Sequence, residues 1–176
     1  PNLFKPTIAT IGTFDGVHEG HKSLINYLVK SAKKFDQIPI VIIFEDKPKN
    51  FFLTKKIKSL CSLYEREQLI KSLGVENIIS LKFDKEIQEL SSKKFIDKLK
   101  INFGVNTFLL GSDSKIGSDQ AGYNELKSNH PDISFIKFMP KKNKGKVISS
   151  TLVRKAIQEG DCEKTKDLLG RFYTIE

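Results

Sequence analysis

Cysteine is nearly absent. Cys61 and Cys162 stand far apart and neither sits in a metal-ligand spacing, which excludes a disulfide framework and a zinc knuckle. No apolar run approaches the ~20 residues of a membrane span. The N-terminus lacks the charged-then-apolar pattern of a secretory signal, so a cytoplasmic protein is expected. Neither GxGxxG nor GxxxxGK[ST] occurs, which removes the dinucleotide fingerprint and the P-loop. Arginine is scarce: Arg66, Arg154 and Arg171 are the only three among 30 basic residues. The formal charge of +9 invites a nucleic-acid reading. However, the lysines are spread along the chain, with one dense run at Lys141, Lys142, Lys144 and Lys146. The enrichment in Lys, Ile, Asn and Phe has the look of an AT-rich genome, which argues against nucleic acid as a partner. In so lysine-biased a chain, an arginine marks a position that uses the planar bidentate fork.

The bulk composition is that of an ordinary globular protein, 39% hydrophobic and 29% charged over 176 residues, enough for one domain with a full core. Its organising stretch is Ile8 to His21, IATIGTFDGVHEGH. An apolar start reads as a buried strand, Gly12 and Gly16 break it into a turn, and Leu24, Ile25 and Leu28 begin a helical period. His18 and His21 therefore stand where a strand hands over to a helix. Free N–H groups and the helix dipole make such a turn an anion site, and Gly16 and Gly20 let a phosphate or nucleotide ring approach the backbone. The spacing of three puts both imidazoles on one helical face, where they can bind phosphate oxygens and stabilise developing charge. The blander alternative is a capped turn with two solvated histidines. A zinc site fails on supply, because His130 is the only other histidine.

Along the chain, strands are expected at 8–13, 40–44, 77–81, 107–110 and 133–138. Helices are expected at 20–35, 62–73, 91–103, 124–128, 149–158 and 162–169, with Val147 and Ile148 as an edge segment. Ser62 and Glu65 have capping-box spacing, and Gly74, Gly104 and Gly160 stand at helix ends. The unbroken β-branched run Ile40 to Phe44 marks a strand buried on both faces. Strand and helix alternate, so the expected fold is an α/β, Rossmann-like open parallel sheet with helices on both faces and right-handed crossovers. Ligands in such sheets bind at the carboxyl ends of the strands. The segment 45–58 reads as a mobile loop over that site, whose Phe51 and Phe52 either cover a ring or anchor the loop to the core.

Two further stretches carry chemistry. ISSTLVR, Ile148 to Arg154, repeats the opening physics: hydroxyls at a helix start cap free N–H groups, and Arg154 one turn on can clamp phosphate oxygens. LLGSDSKIGSD, Leu109 to Asp119, leads a strand into a loop where Asp113 can accept from a base, a ribose or a flavin edge, or simply form a turn. No residue in the three stretches looks like a protein nucleophile.

GTFDGVHEGH together with ISSTLVR resembles the nucleotidyltransferases that carry HxGH and ISSTxxR signatures. Among these, LLGR (Leu168 to Arg171) and Leu90 to Phe95 point to the adenylyltransferase module of bacterial bifunctional riboflavin kinase/FMN adenylyltransferases, over nearly the whole chain. The resemblance implies the HxGH nucleotidyltransferase fold and transfer of AMP from ATP to FMN, with Mg²⁺, yielding FAD and pyrophosphate. It implies catalytic roles for His18, His21 and Arg154. ATP contacts would come from Gly12, Thr13, Phe14, Asp15, Gly16, Gly20, Ser149, Ser150 and Thr151, and flavin contacts from Asp113, Phe44 and Phe51. No protein-held metal is expected. Alternatives are an adenylyl- or cytidylyltransferase for another small phosphorylated acceptor, and a non-catalytic nucleotide- or RNA-binding paralogue.

The chain departs from the family pattern on the flavin side. Ile43, Asp46 and Lys47 replace a Thr, a Pro and a His of a TFxPHP-like run, and Ser114 and Ile116 replace two aromatics of a GxDFxFG loop. The expected organisation is a nucleotidyltransferase domain over 1–160 and a C-terminal helix and linker over 161–176. The riboflavin kinase module is expected elsewhere in the full-length protein or on a separate chain.

Overall fold

A computed structural model describes residues 5–140, 142–143 and 145–174. Lys141 and Lys144 of the lysine run lie outside the described residues.

Five parallel strands form the sheet: β1 (Thr7–Gly12), β2 (Ile38–Phe44), β3 (Asn77–Leu81), β4 (Val105–Gly111) and β5 (Ser134–Phe138). Their spatial order is β3-β2-β1-β4-β5. The chain winds outward from β1 to β3, then returns to the other side of β1 for β4, so the switch point of the sheet falls between β1 and β4. Alternation along each strand feeds two cores. Ile8, Val41, Ile43 and Leu109 face Ile25 and Leu28 of α1 (Glu19–Lys34) and Ile70 of α2 (Leu63–Lys71). Ala9, Ile40, Ile42, Phe108 and Leu110 face the other way. Between β3 and β4 run α3 (Lys85–Glu89) and α4 (Ser92–Phe103), and α5 (Tyr123–Asn129) precedes β5. Phe95, Ile96 and Leu99 of α4 and Leu126 of α5 fill that second core. The doubly wound α/β fold expected from the sequence is the fold observed.

Several elements differ from expectation. Helix α3 was not expected: its five residues are nucleated by Asp84, whose carboxylate accepts from the Ile87 N–H. Segment 45–58 is not a structureless loop, since Pro48–Phe51 form a 3-10 turn. Asn50 accepts from the Ile57 N–H at 2.9 Å and donates to Asp46 and Ile57. Val147 is no edge of the main sheet but pairs in a separate hairpin, β6 (Lys142–Asn143) with β7 (Lys146–Val147). The last helices are α6 (Ser150–Gln158) and α7 (Cys162–Leu169). They form a third cluster in which Leu168 and Leu169 pack with Leu60, Ile148, Val153 and Ala156.

Among the described residues, no helix is long and apolar enough to cross a membrane.

Candidate functional site

The backbone leaving β1 is contorted. Phe14 and Val17 both have positive φ, 47° and 38°, and the Val17 N–H donates to the Phe14 carbonyl at 3.0 Å. Left-handed backbone at two non-glycine positions, one of them β-branched, costs on the order of 1–3 kcal/mol each. Full burial of both side chains is what holds the turn in that shape.

The turn delivers His18 as the N-cap of α1. Its Nδ1 accepts from the His21 N–H at 3.3 Å, which fixes the ring. His21 then stacks on it, ring centroids 3.7 Å apart and planes 14° apart, and meets the edge of Phe14 at 5.1 Å. Burial pushes the His18 pKa down to about 4, against the opposing charge of Asp15. The His21 pKa lies well below its ordinary value, through burial and then the charge of His18. Both imidazoles are therefore neutral near pH 7. Among the described residues, His21 Nδ1 is buried without a hydrogen-bond partner.

Asp15, buried beside them, gathers the cations. Its Oδ2 pairs with the Arg154 guanidinium and with Lys47 Nζ at 3.2 Å, while Oδ1 accepts from the Leu60 N–H at 2.7 Å. Arg154 is carried by α6, whose N-terminus docks against the same turn. Ser149 caps it by accepting from the Leu152 N–H, and Ser150 Oγ donates to the Asp15 carbonyl at 2.9 Å. Gly20 permits this approach, because a Cβ there would lie 3.1 Å from the Ile148 carbonyl. Two helix N-termini thus meet at one point, with free N–H groups from both. Thr151 is exposed at the second position of α6.

The other two arginines also serve this region. Arg171 donates to the Gly16 carbonyl at 3.0 Å. Arg66, buried, donates to the carbonyls of Thr13 (2.9 Å), Phe44 (2.8 Å), Glu45 (2.6 Å) and Ser62 (3.4 Å). It ties the ends of β1 and β2 to the start of α2. The scarcity of arginine was the sequence signal for this role; which carbonyls it would bind was not readable there.

Beside the turn, across Gly12 and Thr13, opens a cleft of about 430 Å³. Phe44, Phe52, Phe83 and Phe95 give it aromatic walls, and Ser114 and Lys115 line it from the loop after β4. That loop is pinned to α4: Asp119 accepts from Ser92 N–H and Oγ at 2.8 and 2.7 Å. Gly117, at φ +78°, lies where a Cβ would fall 2.1 Å from Ser92 N.

Of the three residues expected around a flavin, the structure brings only Phe44 to the cleft wall. Phe51 is displaced because the 3-10 turn rotates successive side chains by about 120°. It packs edge-on against Phe52 and Phe83 and leaves the lining to Phe52. Asp113 is exposed; the tight turn closed by Ser114 N–H on the Gly111 carbonyl folds its carboxylate back over Gly111. Phe83 and Phe95 were not anticipated. They come from the segment after β3 and from α4, and only the fold unites them. No group of three His, Cys, Asp or Glu side chains able to hold a metal occurs among the described residues.

Known proteins resemble this chain over most of its length. A family model described as FAD synthetase matches residues 1–152. The bifunctional riboflavin kinase/FMN adenylyltransferase of Buchnera aphidicola subsp. Acyrthosiphon pisum is 32% identical over 174 residues, 96% of this chain and 56% of that protein. The protein of the same description from Pseudomonas fluorescens is 30% identical over 172 residues, 96% of this chain and 55% of that one. The crystal structure of a macrolide-efflux protein from Streptococcus pneumoniae superposes with a TM-score of 0.85 at 27% identity, covering 95% of this chain and 56% of that one. The pantoate-beta-alanine ligase of Francisella tularensis shares the fold, with a TM-score of 0.53 at 20% identity over 89% of this chain and 71% of that one. The chain spans about half the length of the curated relatives it matches.

Proposed function

The chain belongs to the FAD synthetase family, and from that premise we propose that it transfers the adenylyl group of ATP to FMN. A phosphate oxygen of FMN attacks the α-phosphorus. The bond from that phosphorus to the bridging oxygen breaks, and its electron pair leaves on pyrophosphate. FAD is the other product.

The observation that carries this reading is a juxtaposition. Two helix N-termini, two neutral histidines and Arg154 gather around the turn after β1, beside Gly12 and Thr13, which line a cleft walled by Phe44, Phe52, Phe83 and Phe95. The first part suits a triphosphate and the second a flat aromatic ring, which supports a nucleotide donor and a flavin acceptor meeting at the end of β1.

The chemistry then falls to positioning and charge stabilisation. His18 and His21 donate N–H groups to the α-phosphoryl oxygens, where negative charge grows during transfer. Ser149, Ser150, Thr151 and the free N–H groups of α6 take the β- and γ-phosphates, and Arg154 clamps the departing pyrophosphate. Thr13, Phe14, Asp15 and Gly16 with Gly12 and Gly20 shape the nucleotide side. Mg²⁺ enters as part of the MgATP substrate. FMN is supplied by a riboflavin kinase, fused to the chain in the full-length protein or separate. ATP as donor fits a cytoplasmic enzyme.

Incubation with MgATP and FMN tests the reading: FAD and pyrophosphate form in equal amounts. Pyrophosphate released only with a different phosphorylated acceptor would replace FMN by that acceptor. That outcome has a structural basis, because Ser114 and Ile116 stand on the cleft wall where the family pattern has aromatics. No pyrophosphate with any acceptor, alongside tight salt-dependent RNA binding, would make the chain a non-catalytic paralogue.

A further inference from the structure

The segment joining β2 to α2 forms one wall of the acceptor cleft, through Pro48, Lys49 and Phe52. Its stretch from 51 to 59 is exposed throughout, so some contact has to hold it. Asn50 holds Ile57 and Arg154 holds the Lys58 carbonyl, and three further contacts converge on Lys47. Lys47 Nζ donates to the carbonyls of Ile57 at 3.1 Å and Lys58 at 2.8 Å, and lies 3.3 Å from Ser59 Oγ. The same ammonium pairs with Asp15 Oδ2 at 3.2 Å, with the lysine side chain only 12% exposed.

Lys47 therefore reaches both substrate regions at once. Its backbone is the N-cap of the 3-10 turn that walls the cleft, and its ammonium is seated in the nucleotide turn. It also shares two acceptors with Arg154, namely Asp15 Oδ2 and the Lys58 carbonyl. An ammonium with three donors closes the segment on itself and spends its charge on Asp15. A neutral side chain of the same length would leave the Ile57 carbonyl to Asn50 alone, and the Lys58 carbonyl and Asp15 Oδ2 to Arg154.

We propose that Lys47 is a positioning residue for the acceptor, fastening the wall formed by Pro48, Lys49 and Phe52 to Asp15 so that the acceptor phosphate meets the donor in line. The inference rests on the FMN adenylyltransferase reading above and adds to it the residue that registers one substrate cleft against the other.

The test compares wild type with Lys47→Met and Lys47→Arg in the full chain. By steady-state FAD synthesis, Lys47→Met raises KM for FMN roughly ten-fold or more, the size expected for lost charge-assisted hydrogen bonds, while KM for MgATP moves much less. Lys47→Arg recovers part of the loss, because its donors can reach the same carbonyls. Limited trypsin digestion gives a readout independent of activity. The bond after residue 47 precedes Pro48 and resists trypsin in wild type, so cleavage after Lys49, Lys55, Lys56 or Lys58 reports the segment itself. Lys47→Met accelerates that cleavage.

Cleavage at the wild-type rate in Lys47→Met overturns the fastening role. An equal rise in KM for MgATP and FMN overturns the acceptor assignment and makes Lys47 a triphosphate ligand, and an unchanged KM for FMN overturns it outright. If wild type makes no FAD, the adenylyltransferase reading falls, and the acceptor role falls with it, even where the digestion shows the segment fastened.

Discussion

His21 lies flat on His18, 3.7 Å between ring centroids, and both rings are neutral because burial opposes their protonation. Two charged imidazolium rings at that distance would repel, so the stack is a property of the uncharged pair.

In the proposed mechanism this pairing separates catalysis from binding. His21→Ala is expected to lower kcat for FAD formation by about 10²-fold or more, the loss typical of a donor aimed at developing charge. The dissociation constant for MgATP, followed by calorimetry, should change far less, since the proposed triphosphate contacts come mostly from α6. Wild-type turnover in the mutant would remove His21 from the mechanism.

Stability should depend on pH in a direction set by His18. Its folded-state pKa is lowered from 6.5 to about 4, so between these values the unfolded chain binds a proton that the folded chain refuses. Stability is then full above pH 6.5 and falls as pH drops toward 4. The His18 share of that loss is about 3 kcal/mol, and His21 adds to it in the same direction. Urea unfolding at stepped pH checks this. His18→Asn keeps an N-cap side chain and should flatten the slope across that window; an unchanged slope would contradict the assignment.

Arg66 should behave as a structural cation. Replacing it with Met removes the donor that the carbonyls of Thr13, Phe44 and Glu45 share, an expected cost of roughly 2–4 kcal/mol. Arg66→Lys should recover only a fraction, since one ammonium cannot span the fork. Denaturant midpoints with an unchanged m-value measure both.

The loop after β4 gives a specificity prediction. Gly117→Ala pushes a methyl group into the backbone of Ser92, so the loop must lift off α4 and carry Ser114 and Lys115 away from the cleft. KM for FMN should rise while binding of MgATP stays near wild type. A parallel loss of both affinities would mean that the damage spreads beyond this loop.

These expectations rest on features unevenly visible in the sequence. The apolar run Ile40 to Phe44 announced a strand buried on both faces; Ile40 to Ile43 are buried, while Phe44 is half-buried on the cleft wall. Ser62 and Glu65 have the capping-box spacing, and both halves of that box form. The strand-turn-helix at His18 and the Ser149 cap were legible because each depends on neighbours within a few residues. What could not be read depends on distant partners. Lys47 reads only as a replacement for the family pattern's His until Asp15 and Lys58 are brought to it. Phe83 and Phe95 are separated in sequence and share a cleft only through the fold. Phe51 and Phe52 are adjacent and chemically identical, and a 3-10 turn alone decides which one faces inward. Asp113 has the composition of a ligand, but local turn geometry turns it aside.

The hydrogen bond from Arg171 to the Gly16 carbonyl spans 155 positions, and Leu169 packs beneath the same glycine. The turn after β1 is thus synthesised well before Leu169 and Arg171, which support it. A nascent chain arrested before α7 clears the ribosome would hold every histidine and serine of the site without the scaffold that shapes them. The proposed nucleotide site should therefore form only once Leu169 and Arg171 have emerged.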